Sequence, residues 1–324
     1  MAPSATEPGV PPDERIAAAR LARGFWLLVG ATTALIVLGA LVRANGAGLA
    51  CPDWPLCFGQ LIPQFDVRVG FEWSHRLLAG SVGLCFLALG ALVLRHPTLR
   101  RSMGPWVLTA GTLLAVQVVL GALTVWELLA SWTVSSHLVV GNAVNAGFAT
   151  IAWQLGRAAE PARSSDSTAR GSEARAVIAP ALRGLVVLTA GLLLLQLVLG
   201  GQVSSRFAGL ACDEWPACHG GVWFPDFQGA RGIHLFHRLA GYALVAALGA
   251  AALAARGTGR PGQLLAAAAG VALAQAIVGI ANVLLRIPIE VTAAHSLLAA
   301  MLVLLTTLAV CETWPRHHPS ASTR

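Results

Sequence analysis

Glu72, His75 and Arg76 place a carboxylate, an imidazole and a guanidinium together where an apolar run begins, and His237-Arg238 repeats the last pair at the head of another such run. Two further histidines, His137 and His295, begin two more. An ionisable group inside a membrane is costly, rare and usually functional. Iron in a porphyrin leaves two axial positions, and a pair of imidazoles across a helix bundle fills both. Four histidines at matched places therefore predict two haem sites, His75 with His137 and His237 with His295. The plainer alternative is four separate polar residues that hydrogen-bond between helices.

Glu72 lies one helical turn before His75 and on a similar face. The corresponding residue near His237 is His234. A carboxylate at a porphyrin edge can take a proton, hold a water or stabilise a developing cation, so its presence in one copy only predicts chemistry in one copy only. The competing reading is an acid in a helix's first turn that favours the dipole. Arg76 and Arg238 suit propionate carboxylates through paired hydrogen bonds, or else snorkel at the interface. Cys51 and Cys57, and likewise Cys212 and Cys218, are separated by five residues that include a proline. On an oxidising side this spacing favours a disulfide in each pair over a four-cysteine zinc site. Cys85 and Cys311 read as packing residues, and His96, His317 and His318 as solvated side chains. His219 and His234 are left unassigned. Asn142, Asn145, Asn282, Gln117, Gln196 and Gln275 suit interhelical hydrogen bonds, and Gly121, Gly200, Gly201 and Gly279 suit close helix contact.

The elements that must position these residues are membrane helices. The chain of 324 residues is 56% hydrophobic and only 11% charged, with a mean hydropathy of +0.68. A soluble domain is about 25% charged. Crossing the hydrocarbon takes about 20 apolar residues. Eight segments qualify: 25–43, 71–94, 105–126, 132–154, 182–203, 233–255, 263–285 and 290–311. The first exceeds a signal-peptide core and lacks a cleavage site, so it reads as a retained helix. All 22 basic residues are arginine. Fifteen fall in the tails and in the loops on the tails' side, and seven near the opposite face, which predicts cytoplasmic termini. With no basic face or binding motif, the net charge of +7 does not indicate nucleic acid.

The chain also repeats. Gly48-Leu49-Ala50-Cys51 and Trp54-Pro55-Leu56-Cys57 return as Gly209-Leu210-Ala211-Cys212 and Trp215-Pro216-Ala217-Cys218, 161 residues on. His75 returns as His237 at 162, and His137 as His295 at 158. Four helices per copy give both copies one orientation, so the expected fold is all-α, two tandem four-helix bundles related by a pseudo-two-fold axis along the membrane normal. The expected divisions are an N-terminal tail at 1–24, a first half at 25–156, a Ser/Ala/Arg-rich linker at 157–181, a second half at 182–311 and a tail at 312–324.

Gly39-Ala40-Leu41-Val42-Arg43, the loop from Gly46 to Cys57, the Glu72-x-x-His75-Arg76 element and Leu120-Gly121-Ala122-Leu123-Thr124-Val125 together resemble the haem A synthases. The likeness runs from about residue 25 to 311. It implies an eight-helix membrane enzyme that oxidises the C8 methyl of haem O to formyl by successive hydroxylations, giving haem A for terminal oxidases. By that resemblance His75 and His137 bracket the substrate and Glu72 assists its oxidation. His237 and His295 ligate haem b, which exchanges electrons with an external carrier. Many relatives lack cysteines in the second loop, so Cys212 and Cys218 depart from the pattern. The implied partners are a haem O synthase, an electron carrier, the lipid bilayer and further copies of the chain. The rival functions are a dihaem b-type electron-transfer protein and a haem transporter or chaperone. The one-sided Glu72 argues against the first, and the absence of matched helix breaks against the second.

Overall fold

The computed structural model describes residues 10–64, 66–161 and 180–314. Residues 162–179 of the expected linker lie outside these residues, as do residues 1–9, His317 and His318, while the linker's ends at 157–159 and 180–181 belong to helices. Among the described residues, eight helices are long and apolar enough to cross a membrane. In order they are α1 (Pro12–Ala44), α2 (Val67–Arg95), α3 (Pro97–Trp126), α4 (Ser131–Ala159), α5 (Pro180–Ser205), α6 (Gly229–Ala254), α7 (Arg260–Leu284) and α8 (Ile289–Thr313). A 3-10 turn at Ala208–Leu210 follows α5. The protein is an all-α, multi-pass membrane protein.

Several helices outrun their apolar cores. α1 begins at Pro12, well before residue 25, with Pro at the first turn and Asp13 and Glu14 against the dipole. The Ala/Arg-rich stretch after it is too polar to register as a span but consists of strong helix formers. At about 1.5 Å per residue its 33 residues reach well beyond the hydrocarbon. Glu14 is buried. Its carboxylate accepts from the backbone N–H of Leu99 at 3.2 Å and of Thr98 at 3.4 Å, so α1 caps the start of α3. That cap fixes the start of α3 at Pro97, and the helix continues through Pro105. α2 starts at an Asp66 cap whose carboxylate accepts from the Val69 N–H at 2.9 Å.

Two apolar clusters form. The first gathers side chains from α1 to α4 around Phe25, Phe86 and Phe148. The rings of Phe86 and Phe148 stack at 5.1 Å, and Phe25 meets each edge-on at 6.3 Å. The second is aliphatic, built mainly on α5 to α8 around Val186, Leu248 and Leu265. Lipid is as apolar as leucine, so fit and interhelical hydrogen bonds decide which helices associate. α1 also packs on α8, and α4 on α5 and α8. At the end of the molecule that carries the cysteine loops, called the disulfide face below, Arg43 donates to Ser204 Oγ at 2.6 Å and to the Ser204 carbonyl. Its guanidinium also lies over the Phe207 ring. At the opposite face Glu312 accepts from Trp153 Nε1 at 2.9 Å and pairs with Arg260 at 3.2 Å and Arg157 at 3.6 Å.

Candidate functional site

The four histidines stand at repeat-matched places on helices that all start at the disulfide face. His75 and His237 are the ninth residues of α2 and α6, and His137 and His295 the seventh of α4 and α8. With one rise per residue they share a narrow band of depth. The imidazoles of His75 and His137 are near enough to interact electrostatically, and so are those of His237 and His295. Each residue is partly buried, yet each Nδ1 is enclosed and without a hydrogen-bond partner. An orphaned buried polar atom costs about 1–3 kcal/mol. Four of them stand in matched positions, and a metal shared within each pair would give them a partner. Among the described residues no group of three or more His, Cys, Asp or Glu side chains could hold a bare ion. A porphyrin iron, which asks the protein for only two ligands, fits this donor set.

The expected neighbours of the histidines turn towards the loops. Glu72 is buried. Its Oε2 accepts from the Cys51 backbone N–H at 2.9 Å, and its Oε1 takes Arg76 Nη2 at 2.5 Å. Arg76 then donates to the carbonyls of Asp53 at 2.6 Å, Leu56 at 2.5 Å and Cys51 at 3.1 Å. The guanidinium is thus a plug inside the loop closed by the Cys51–Cys57 disulfide. Four of its five N–H groups are committed, which leaves little of the expected fork for a propionate.

The second half builds the same clasp from different residues. Cys212 and Cys218 form a disulfide, and the Cys212 N–H donates to His234 Nδ1 at 3.2 Å. Arg238 donates to His234 Nε2 at 3.3 Å and to the carbonyls of Cys212 at 2.7 Å, Glu214 at 2.9 Å and Ala217 at 3.1 Å. His234, unassigned from sequence, therefore occupies the place of Glu72. The one-sided carboxylate is part of a two-sided scaffold. Both arginines donate to loop carbonyls, and a four-cysteine zinc site is excluded by the two bridges.

Acidic residues finish each loop. Asp53 accepts from the backbone N–H groups of Phe58 at 2.6 Å and Gly59 at 2.8 Å. The Gly59 bond is the main reason that its carboxyl is held below the usual range. Glu214 does the same work for Gly220 and Gly221. Asp213 takes His219 Nδ1 at 2.8 Å, and this bond chiefly lowers its carboxyl. Sequence reasoning missed two partners. Gln117 makes the interhelical hydrogen bond expected of it, but its partner, His137 Nε2 at 3.3 Å from Gln117 Nε2, is one that helix spacing alone does not reveal. Arg43 joins Ser204, its own repeat counterpart, and the common offset of 161 was the available signal.

Comparison with known proteins places this arrangement among relatives. A family model described as cytochrome oxidase assembly protein (COX15-CtaA) matches residues 22–70 and 64–307. A heme A synthase of Shewanella oneidensis is 28% identical over 336 residues, covering 90% of this chain and 96% of the relative. One from a Methylobacterium species is 29% identical, covering 87% and 88%. One from Paracoccus denitrificans is 27% identical, covering 92% and 90%.

Proposed function

The chain belongs to the COX15-CtaA family of cytochrome oxidase assembly proteins, and from that membership we propose how it works as a haem A synthase. It is an oxidoreductase of the haem A synthase type. Its substrate on this reading is haem O, whose C8 methyl is oxidised to formyl. The observation that carries the assignment of the site is the four repeat-matched histidines whose Nδ1 atoms are enclosed and without a hydrogen-bond partner.

His75 and His137 hold the substrate in the first half, and His237 and His295 hold haem b in the second. Bound haem b supplies one-electron chemistry, and an external carrier takes up what it delivers. The helices fix each imidazole pair at one depth, so His75 with His137, and His237 with His295, would each hold a porphyrin iron near the disulfide face. Glu72 contributes to oxidation by position: it anchors the first loop and the start of α2 one turn before His75. Each Glu72 oxygen accepts one hydrogen bond and keeps a second lone pair, at which a proton could be held. The arginine bias supports cytoplasmic termini, which puts the two disulfides on the oxidising side. The matched offsets support two four-helix halves, 25–156 and 182–311, related by a pseudo-two-fold axis.

The clasp bears on the rival reading. With His234 doing the work of Glu72, the acid alone no longer separates an enzyme from a dihaem electron conduit, and family membership carries that distinction. Extraction of porphyrins after expression with and without a haem O supply tests it. A formyl-bearing porphyrin is expected only when haem O is supplied. Unmodified haem in both halves under both conditions would establish a conduit.

A further inference from the structure

Every candidate ligand imidazole rests on a glycine of the helix that precedes its own in the chain. A Cβ added to Gly39 of α1 would stand 3.1 Å from Cε1 of His75, and one added to Gly121 of α3 would stand 3.3 Å from Cε1 of His137. In the second half Gly200 of α5 meets His237 at 3.1 Å, and Gly279 of α7 meets His295 at 3.2 Å. The same ring atom is touched four times. Gly39 and Gly200 are 161 residues apart, and Gly121 and Gly279 are 158 apart, so the contacts follow the repeat. Close helix approach does not by itself explain them. Gly30 of α1 and Gly191 of α5 also stand 161 apart, and an added Cβ there meets nothing within 4 Å.

Cε1 lies between the two ring nitrogens, so pressure on it displaces both. A methyl at 3.1–3.3 Å is too tight for an ordinary contact, and the ring must slide or turn by a few tenths of an ångström. Interiors are close-packed and resist such shifts. An axial bond to a metal is far less tolerant of displacement than a packing contact is. We propose that Gly39, Gly121, Gly200 and Gly279 are positioning residues that set the depth and rotation of the four imidazoles, and so the span across which each pair grips its porphyrin. The proposal rests on the assignment of the four histidines as ligands.

The experiment is alanine substitution at each seat, read by the optical and electron-spin spectra of the haem that remains bound after purification from membranes. Gly200→Ala and Gly279→Ala are expected to weaken haem b binding about ten-fold, the scale on which outer-shell changes act, and to convert low-spin signal to high-spin. Gly39→Ala and Gly121→Ala are expected to leave that signal intact and to weaken haem O binding instead. Gly30→Ala and Gly191→Ala serve as controls and should match the parent in both. Should Gly200→Ala fail to accumulate, Gly279→Ala carries the same test on another helix. Parental spectra and affinities in both would overturn the proposal. His237→Ala and His295→Ala separate the two layers: unchanged spectra there sink the ligand assignment, whereas loss there with intact glycine variants sinks only the seats.

Discussion

The Cys51 backbone N–H donates to Glu72 Oε2 at 2.9 Å, and that bond ties the first disulfide loop to the helix that carries His75. Arg76 completes the tie from the same carboxylate. Glu72→Ala leaves a largely buried guanidinium without its counter-charge, and breaking such a pair from one side costs about 3–5 kcal/mol. Three loop carbonyls still receive Arg76, so the lower end is expected. Glu72→Gln keeps an acceptor for the Cys51 N–H and should lose less. Thermal unfolding in detergent checks both. A Glu72→Ala protein as stable as the parent but devoid of activity would return this residue to direct catalysis.

His234 is less well suited to its place. Two donors face its ring, Cys212 N–H at Nδ1 and Arg238 Nε at Nε2, and a neutral imidazole can accept at only one nitrogen. A carboxylate accepts both. His234→Glu should therefore stabilise the second half by about 1.5–3 kcal/mol, the worth of a hydrogen bond to a charged group. Slower hydrogen exchange at the Cys212 amide is the local readout. Destabilisation would mean that the second loop needs the imidazole for some other purpose.

The eight spans were legible because apolar run length is a local pattern, and the matched offsets are likewise read directly from the sequence. Helix ends were less so. Hydropathy marks where a helix is greasy rather than where it stops, and the caps at Asp66 and Glu14 depend on a side chain or on a distant helix. The histidine positions were readable from their offsets. The destination of Arg76 and Arg238 was not, since a guanidinium beside an interface suits a propionate and a loop carbonyl equally until the loop's path is known. Nor was the role of Gly39, because only the packed structure shows which ring a glycine faces.

Acid should open the first loop before it unfolds the bundle. The Gly59 N–H holds Asp53 below the usual carboxyl range. A depressed carboxyl contributes stability that is complete above its unfolded value, about 3.9, and is lost as pH falls through the lower folded value. Hydrogen exchange at the Phe58 and Gly59 amides, corrected for intrinsic rate, should lose protection below about pH 4, while the helices keep theirs. Asp53→Asn should show the reduced protection already at neutral pH. Flat protection down the acid range would assign the loop's order to its disulfide and Arg76 alone.

Phe148 offers the sharpest test of whether the two halves are separate packing units. Its ring is fully buried and stacks on Phe86, in a cluster that draws on α1 to α4. Its repeat counterpart, 158 residues on, is Thr306, so the second core has no such ring to lose. Phe148→Ala removes a fully enclosed aromatic, a change that costs about 3–5 kcal/mol. Because the second apolar cluster is built mainly on α5 to α8, the loss should stay in the first half. Thermal scans should then resolve two steps: early loosening read by exchange in α1 and α2, and loss of the haem b spectrum near the parental temperature. A single, earlier transition for both signals would show that the contacts across the seam, Arg43 with Ser204 and Glu312 with Trp153 and Arg157, weld the eight helices into one cooperative unit.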